Sequence, residues 1–437
     1  MKLYHVYKKQ LSKIFFLSLL IIFIFLPTVF SLAQNISELQ QKISQKDSDI
    51  QQLEKEIVAY QIQLDGIGQQ KNSLAKSIKE LDITRKKLNA DISVTQKKID
   101  KTNLKIQSLS SDIKSKQSSI TNDIESIRLQ IRNTNEIEMN NVLETLLSED
   151  DFTAMWNEVD NIATVREQIR KKIKELKQIK GELEDTRDET IKAKNELTVL
   201  KNKLSDQQKI IVQNTNEKNR LLKQTKNNEA NYQKLLKNRI AEKDALEKEL
   251  RDYESQLKYT LDPSKLPNKG IFSWPLDYIL ITQQFGKTVD AKRLYVSGSH
   301  GGVDFRATVG TPVKAMADGV VMGVGDTDRQ CPGTSFGRFI FIKQDNGLSI
   351  AYGHLSLVRA NVGERVSRGQ IVAYSGNSGY STAPHLHVTV YAPNAAEVKS
   401  IPSKSCPGRV LTQPIAPLNA YLDPLYYLPS TNKSMFK

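Results

Sequence analysis

A seven-residue repeat of apolar positions organises the first half of the chain. Counting in sevens from Ile36 to Ile127 gives fourteen positions, and twelve of them are Ile or Leu. No proline interrupts residues 28–262, and Lys, Glu, Gln and Leu, which favour helix, are abundant there. A helix lying on a globular core would drift away from a strict period of seven, whereas a coiled coil keeps it. The pattern predicts a coiled coil over residues 34–260.

The repeat falters near residue 130 and resumes at Ile169. Two nearly equal arms, about 36–132 and 165–258, therefore flank a different central segment. Equal arms of this kind predict an antiparallel hairpin with its tip at about 140–165. A parallel coiled coil between two chains is the alternative.

The tip contains three large apolar side chains, Phe152, Met155 and Trp156. Two interpretations are open for them, and they are compatible. The side chains form a small core that closes the hairpin, or they form a docking surface for a partner protein.

Residues 271–430 consist of short β-type runs between turn residues. The segment 261–270, "LDPSKLPNKG", ends the helical region with two prolines and a glycine and is predicted to be a linker. Asn346-Gly347 between two apolar runs indicates a β-hairpin. The predicted fold is an α+β multidomain chain: a long antiparallel coiled-coil hairpin, then a mainly antiparallel β domain and a short tail, 431–437.

The N-terminus predicts export. Lysines precede the apolar run 14–26, and Ser31 and Ala33 have the spacing of a cleavage site before Gln34. Residues 1–33 are therefore a signal peptide or, because the apolar stretch is also long enough to span a bilayer, an anchor formed by residues 14–33. Both alternatives place the rest of the chain outside the cytoplasm, in the periplasm or at the cell surface.

The net charge and the cysteines fit this location. The net charge of +14 suits an anionic polymer or a membrane surface, and the absence of a nucleic-acid motif predicts no nucleic-acid partner. The only cysteines, Cys331 and Cys406, favour one disulfide in an exported protein. Metal ligation is the less favoured alternative, because they are 75 residues apart.

Four of the five histidines lie in the predicted β domain. His385 and His387 belong to "HLHVTVY", which has the pattern of a strand, so both side chains point to one face. His300 precedes Asp304 by four residues, and the intervening glycines argue against a helix, so a loop or bulge must bring this pair together. Two histidines and one carboxylate, with a fourth position left for water, are typical of a catalytic zinc site.

One histidine remains beyond the three ligands of such a site. His354 and one member of the pair His385 and His387 are candidates for carrying protons or for hydrogen bonding to a developing oxyanion. The sequence pattern alone does not decide which member of the pair is the ligand.

The motifs "SHGGVDF", "TPVKAMADGVV", "YGHLS" and "VGERVSRGQIVAYSGNSGYSTAPHLH" resemble those of the LytM-type (M23) zinc metallopeptidases, which cut peptidoglycan. The resemblance covers most of residues 271–430. It implies a Zn²⁺ ion held by His300, Asp304 and His387, with His354 and His385 assisting catalysis. It also implies attack of water on an amide carbonyl polarised by the metal.

The whole chain is similar to exported murein hydrolase activators of the EnvC type, which join a signal sequence and a coiled-coil hairpin to a LytM domain. The resemblance implies control during cell division by an FtsEX-type membrane complex acting through the tip. Many such activators have lost zinc ligands and stimulate a separate amidase, whereas all five positions are filled here. A second departure is the stretch 391–418, which is longer than usual and contains Cys406; it is expected to be pinned to Cys331 and to line the groove.

Three functions follow from these observations. The first is a zinc endopeptidase acting on peptidoglycan cross-bridges or stem peptides. The second is a non-enzymatic activator of a cell-wall amidase. The third, a structural tether that only binds the wall polymer, leaves His354 and His385 without a role.

Overall fold

The computed structural model describes residues 38–64, 66, 73–139, 152–381 and 383–436, with the side chains of 136–139, 152–159 and 290 outside the description. The predicted signal segment 1–33 and the apolar tip side chains fall outside these limits and stay predictions. Among the helices within them, none is both long and apolar enough to cross a membrane.

Four helices are present among the described residues of the first part of the chain. They are α1 (38–64), α2 (Leu74–Met139), α3 (Phe152–Thr225) and α4 (Glu229–Gln256). Two compact units divide the chain across these helices. The described residues up to Gln52 form the first unit with Val94–Lys203, and Leu53–Ser93 form the second with Leu204–Lys437. The linker predicted at 261–270 lies within the second unit.

Ion pairs in the first unit show how its helices run. As the residue number rises on one helix it falls on the partner, so α1 with α2 and α2 with α3 are antiparallel. The pairs are Asp47–Lys101, Asp49–Lys97, Lys105–Glu189 and Asp123–Lys172. Ile99, Ile127, Ile169 and Leu183, all on the predicted sevens, are buried in this unit.

The structure differs from the predicted hairpin in the continuity of its arms. The first arm was expected to be continuous over 36–132, but α1 is a separate helix that pairs with α2. Between residues 64 and 74 the sequence contains the two glycines Gly66 and Gly68, which disfavour helix, and polar Lys71, which interrupts the apolar repeat.

The second arm was expected to reach residue 258, but α3 ends at Thr225. Lys226 and Asn227 have φ angles of 50° and 54°, in the left-handed region. The Asn228 side chain then accepts hydrogen bonds from the amides of Ala230 and Asn231 and caps α4. Asparagine suits position 227 because it tolerates left-handed backbone, and it suits position 228 because it is a strong N-cap. A heptad count does not register such a break.

Among the described residues, the second part of the chain contains thirteen strands and two short α-helices, together with four 3₁₀ helices of three residues each. The strands are β1 (Ile281–Gln283), β2 (Val303–Arg306), β3 (Pro312–Lys314), β4 (Gly319–Asp326), β5 (Arg338–Gln344), β6 (Ser349–Gly353), β7 (Leu355–Val358), β8 (Arg365–Val366), β9 (Ile371–Ser375), β10 (His385–Tyr391), β11 (Glu397–Ser403), β12 (Arg409–Ile415) and β13 (Tyr421–Leu422). The two α-helices are α5 (Val289–Leu294) and α6 (Pro424–Tyr427).

The large sheet has the order β1-β2-β10-β6-β5-β4-β8, with β13 also paired to β10, and β3-β9-β7 form a smaller sheet. Every strand pair among the described residues is antiparallel. The predicted fold class, a helical region followed by an antiparallel β domain, is confirmed. Phe305, Leu386 and Val388 lie in the core without solvent exposure, so β2 and β10 are both anchored in the hydrophobic core.

The long stretch 391–418 folds mainly as the hairpin of β11 and β12. Cys406, in its turn, forms the predicted disulfide with Cys331, with a Cα–Cα distance of 6.1 Å. The hairpin also packs against α4, where Leu246 lies in an apolar cluster with Ile401, Leu411 and Ile415. Helix α4 is therefore attached to the β domain by side-chain packing as well as by the chain.

Candidate metal centre and active site

Two neighbouring strands place a carboxylate and an imidazole opposite each other. β2 and β10 are antiparallel, and Asp304 on β2 is the direct partner of His387 on β10. His385 lies two residues earlier on β10, opposite Arg306. The pleat of β10 therefore directs both histidines to the face occupied by Asp304, as the His-x-His spacing predicted.

Three acceptor atoms converge at this point. The distance from His387 Nδ1 to Asp304 Oδ1 is 2.8 Å, and from His300 Nε2 to His387 Nδ1 it is 3.1 Å. His300 Nε2 lies 3.3 Å from Asp304 Oδ1. Ligands about 2.0–2.2 Å from one tetrahedral zinc ion are themselves a little over 3 Å apart. The three side chains therefore form a cluster able to hold a metal ion.

The outer nitrogens of the two imidazoles support the same conclusion. His300 Nδ1 is 3.1 Å from the carbonyl oxygen of Gln284, so it carries the proton and leaves Nε2 with a lone pair. His387 Nε2 is 2.8 Å from the Thr389 hydroxyl. These contacts orient both rings towards Asp304, and a cation between the three acceptors would neutralise their mutual repulsion. The residues fit a divalent metal.

Asp304 is buried and ionised. Burial by itself raises a carboxyl pKa, but the electrostatic influence of the neighbouring His385, His300 and His387 side chains outweighs it. The pKa of Asp304 is consequently held well below its usual range. A permanent negative charge at the base of the cluster favours cation binding.

His354 and His385 lie beside the cluster rather than within it. Their ring centres are 4.5 Å apart, and His385 Nε2 is 3.6 Å from Asp304 Oδ1. The Nδ1 atoms face carbonyl oxygens at 2.8 Å, Ser378 O for His354 and Ala383 O for His385. A carbonyl oxygen only accepts, so Nδ1 is the donor in both rings and Nε2 is the remaining nitrogen that can exchange a proton.

The backbone of His354 adopts an unusual conformation. Its φ angle is 58°, in the left-handed region that non-glycine residues rarely occupy. Its backbone amide donates to Phe336 O at 2.7 Å, which anchors this turn between β6 and β7. Burial, together with nearby His385 and His387, lowers the pKa of His354 well below its usual value. His354 is therefore a neutral imidazole held in a fixed position.

Gly302 permits the close approach of β2 and β10. A Cβ atom there would lie 2.3 Å from the Val388 carbonyl oxygen and 2.9 Å from His387 Nε2. Real Cβ atoms do not approach backbone oxygen this closely, so any other residue would displace β10. The glycines between His300 and Asp304, which argued against a helix, therefore have a packing role.

The metal cluster opens into a cavity of about 290 Å³, which is near the lower limit of ligand pockets. Its walls include residues that the sequence analysis did not single out. From the β domain these are Tyr295, Phe336, Tyr380, Gln413 and Tyr421, and from α4 they include Lys243, Glu247 and Glu254. Only Tyr380, which lies in the quoted motif that ends with His385 and His387, had a sequence signal; nothing distinguished Lys243 from the many other lysines of the helical region.

Residues 298–400 match the profile described as "Peptidase family M23". These residues form an M23 peptidase domain. The match includes the metal cluster, His354, His385 and strands β2–β10. The family expected from the sequence motifs is therefore confirmed for this part of the chain; the EnvC-type identity of the whole chain is a separate question.

Two curated relatives show the extent of the similarity. The glycyl-glycine endopeptidase ALE-1 of Staphylococcus capitis is 45% identical over 91 residues, 21% of this chain and 24% of that protein. The DD-carboxypeptidase/endopeptidase Mpg of Neisseria meningitidis is 35% identical over 127 residues, 29% of this chain and 28% of that protein. The chain thus spans less than a third of the length of these relatives.

One solved structure is similar to part of the chain. The catalytic domain of lysostaphin from Staphylococcus simulans is 28% identical, with a TM-score of 0.26. The alignment covers 35% of this chain and 93% of that domain.

Proposed function

We propose that this protein is an exported zinc endopeptidase that cleaves peptide cross-bridges or stem peptides of peptidoglycan. The observation that carries the proposal is the complete set of polar groups in the M23 domain. His300, Asp304 and His387 converge as metal ligands, and His354 and His385 stand beside them with free Nε2 atoms. The relatives named above as endopeptidases of glycyl-glycine or DD bonds support this class of substrate.

His300, Asp304 and His387 would hold the zinc ion. When bound there, zinc would supply Lewis-acid activation of water and of the amide carbonyl. His354 and His385 would carry out the proton transfers. With Nδ1 fixed by a backbone carbonyl, each Nε2 can accept a proton from the attacking water and return it to the leaving amine. Both rings are held in place, so little reorganisation is needed.

Helix α4 supports the proposal that the helical region controls this activity. Lys243, Glu247 and Glu254 line the cavity together with His300 and His387, so α4 narrows the route to the cluster. Glu249, on the same helix, accepts hydrogen bonds from the amides of Lys404 at 2.7 Å and Ser405 at 2.8 Å. The activity would therefore rise when α4 is displaced.

The trigger of this displacement would be a membrane complex of the FtsEX type that acts during cell division and binds Phe152, Met155 and Trp156 at the tip. This part of the proposal rests on the resemblance to the EnvC type. Export, with cleavage of residues 1–33 or their retention as an anchor, rests on the N-terminal sequence alone.

The second candidate is an activator of a separate cell-wall amidase. The observation that favours it is the narrowing of the cavity by α4, because a covered site suits a protein that acts by binding. The filled ligand positions favour the enzyme.

One experiment separates the two. The full chain carrying Leu246→Glu, which places a charge in the cluster between α4 and the β11–β12 hairpin, is incubated with purified peptidoglycan and zinc. New amino groups are quantified, with the double variant Leu246→Glu and His354→Ala as control. Release that depends on His354 establishes the peptidase. No release from either variant, together with stimulation of a purified amidase, establishes the activator.

A further inference from the structure

The ammonium group of Lys243 occupies an aromatic recess next to the metal cluster. Its Nζ lies 4.3 Å from the ring centre of Tyr380 and 5.0 Å from that of Tyr295, and it donates to the carbonyl oxygen of Leu294. Lys243 is only 4% exposed, which is unusual for a lysine in a long charged helix. We call Tyr295, Tyr380 and the Leu294 carbonyl the ammonium recess.

The recess belongs to the M23 side of the contact and not to α4. Leu294 ends α5, and Tyr295 caps it. A carbonyl in the last turn of a helix lacks an intrahelical donor and attracts cations. Two tyrosine rings beside it add cation–π attraction. These three groups would stay in place if α4 moved away, whereas Asp244 and Glu247, which pair with Lys243 at 3.1 Å and 3.2 Å, would leave with it.

The recess adjoins the candidate metal centre directly. The Tyr295 ring stacks on the His300 ring, with centres 5.3 Å apart and planes 13° from parallel. One aromatic ring therefore separates the Lys243 ammonium from a proposed metal ligand. Lys243, Tyr295, Tyr380 and His300 all line the same cavity.

We propose that the ammonium recess is a substrate subsite for a primary amino group next to the scissile amide, and that Lys243 fills it as an internal substitute. The proposal rests on the endopeptidase function and names a feature of its substrate. Two sources supply such a group in a peptide: the side chain of a diamino acid in a stem peptide, or the free amino terminus of a bridge. Displacement of α4 would remove the substitute and expose the subsite in one movement.

Binding of small amines tests the recess without any need for catalysis. The probes are Nα-acetyl-lysinamide, its neutral isostere Nα-acetyl-norleucinamide, and triglycinamide with a free amino terminus, each titrated by NMR into the full chain carrying Lys243→Ala, which vacates the recess. Lys248→Ala, on the exposed face of α4, is the matched control. We expect Lys243→Ala to bind one of the two amines about tenfold more tightly than the norleucine probe, because norleucine lacks the cation. The Lys248→Ala control should bind neither, because Lys243 still fills its recess.

A second variant verifies the location. Adding Tyr380→Leu to Lys243→Ala should abolish the preference for the amine, and circular dichroism of both proteins shows whether they are folded. The tighter of the two amines identifies the source of the ammonium. Equal affinity of Lys243→Ala for the lysine and norleucine probes, with no binding of triglycinamide, would overturn the proposal.

A cleavage assay then connects the recess to function. Peptides that differ only in lysine or norleucine near the scissile bond are offered to Lys243→Ala with zinc, and kcat/KM should favour lysine about tenfold. Equal cleavage would overturn the substrate role even if the probe binds. Selective binding of an amine with no cleavage of any peptide would show that the recess is a binding site. The same result would contradict the proposed endopeptidase function.

Discussion

The carboxylate of Glu254 on α4 accepts a hydrogen bond of 2.7 Å from the hydroxyl of Tyr421, whose side chain lies against Gly301. This pair connects the helix with the loop that carries one candidate metal ligand, His300. Glu254 is almost completely buried, and burial, only partly offset by Tyr421, the Ala416 amide and Arg251, raises its pKa from 4.5 to about 7.

The first prediction concerns pH. Because the folded pKa exceeds the unfolded value, the folded state holds the extra proton between pH 4.5 and about 7. The contribution of Glu254 to stability therefore falls as pH rises through this window and stays low above it. Glu254→Gln keeps the hydrogen-bond acceptor but cannot ionise. It should stabilise the protein at pH 8 by on the order of 1–3 kcal/mol and have little effect at pH 4.5.

Thermal unfolding of the full chain between pH 4.5 and 8.5 measures this effect. Glu242→Gln, at an exposed position of the same helix, is the control and should show no pH-dependent difference. A constant difference between Glu254→Gln and the parent at every pH would show that ionisation of Glu254 is not the cause.

The second prediction separates metal ligands from proton carriers. His387→Ala should lose the bound metal, because it removes one of three converging acceptors, whereas His354→Ala should keep it. Both variants should lose activity on peptidoglycan by at least about 100-fold, the scale of general acid–base catalysis. Zinc per chain after dialysis is the deciding measurement. Equal metal loss in His354→Ala would place that residue among the ligands.

The third prediction concerns Gly302. Gly302→Ala should weaken metal binding and destabilise the fold by about 2 kcal/mol or more, since the new Cβ would lie 2.3 Å from the Val388 carbonyl oxygen. Gly181→Ala is the matched control: it lies in α3 with nothing within 4 Å of the new Cβ, so alanine should stabilise by about 0.5–1 kcal/mol. Denaturant unfolding and metal titration give both quantities. A Gly302→Ala protein as stable as the parent would contradict the close packing of β2 and β10.

The fourth prediction concerns the attachment of α4 to the β11–β12 hairpin. Glu249 accepts hydrogen bonds from two backbone amides and from the Ser403 hydroxyl at 3.2 Å. Glu249→Ala should loosen α4 and raise peptidase activity several-fold, with no change in metal content. Limited proteolysis should cut the 257–270 segment faster in this variant. If proteolysis accelerates while activity is unchanged, α4 does not restrict the cavity.

Some features could be predicted because they depend on spacing along one strand. His385 and His387 share a face because the β pleat repeats every two residues, and "HLHVTVY" has no competing helical pattern. Asn346-Gly347 marked the turn between β5 and β6 for a similar reason: Gly347 takes a φ angle of 91° that a side chain would disfavour. Local stereochemistry is sufficient in both cases.

Other features depend on contacts between residues far apart in the chain. The capped break at residues 226–228 turns α4 back onto the β domain, yet the apolar repeat continues through it. The family resemblance identified His387, and not His385, as the ligand. The register of β2 with β10 supports this choice because it places Asp304 directly opposite His387, and the sequence of one strand does not reveal its pairing with another.

The sequence by itself determined a long helical region, an antiparallel β domain and the residue types of a zinc site, because periodicity and motif spacing are local. Only the tertiary structure decided that Lys243 enters an aromatic recess and that Glu254 is buried against Tyr421. Burial and charge pairing are properties of the surroundings of a side chain, and those surroundings come from distant segments, 51 residues away for the Leu294 carbonyl at Lys243 and 167 for Tyr421 at Glu254.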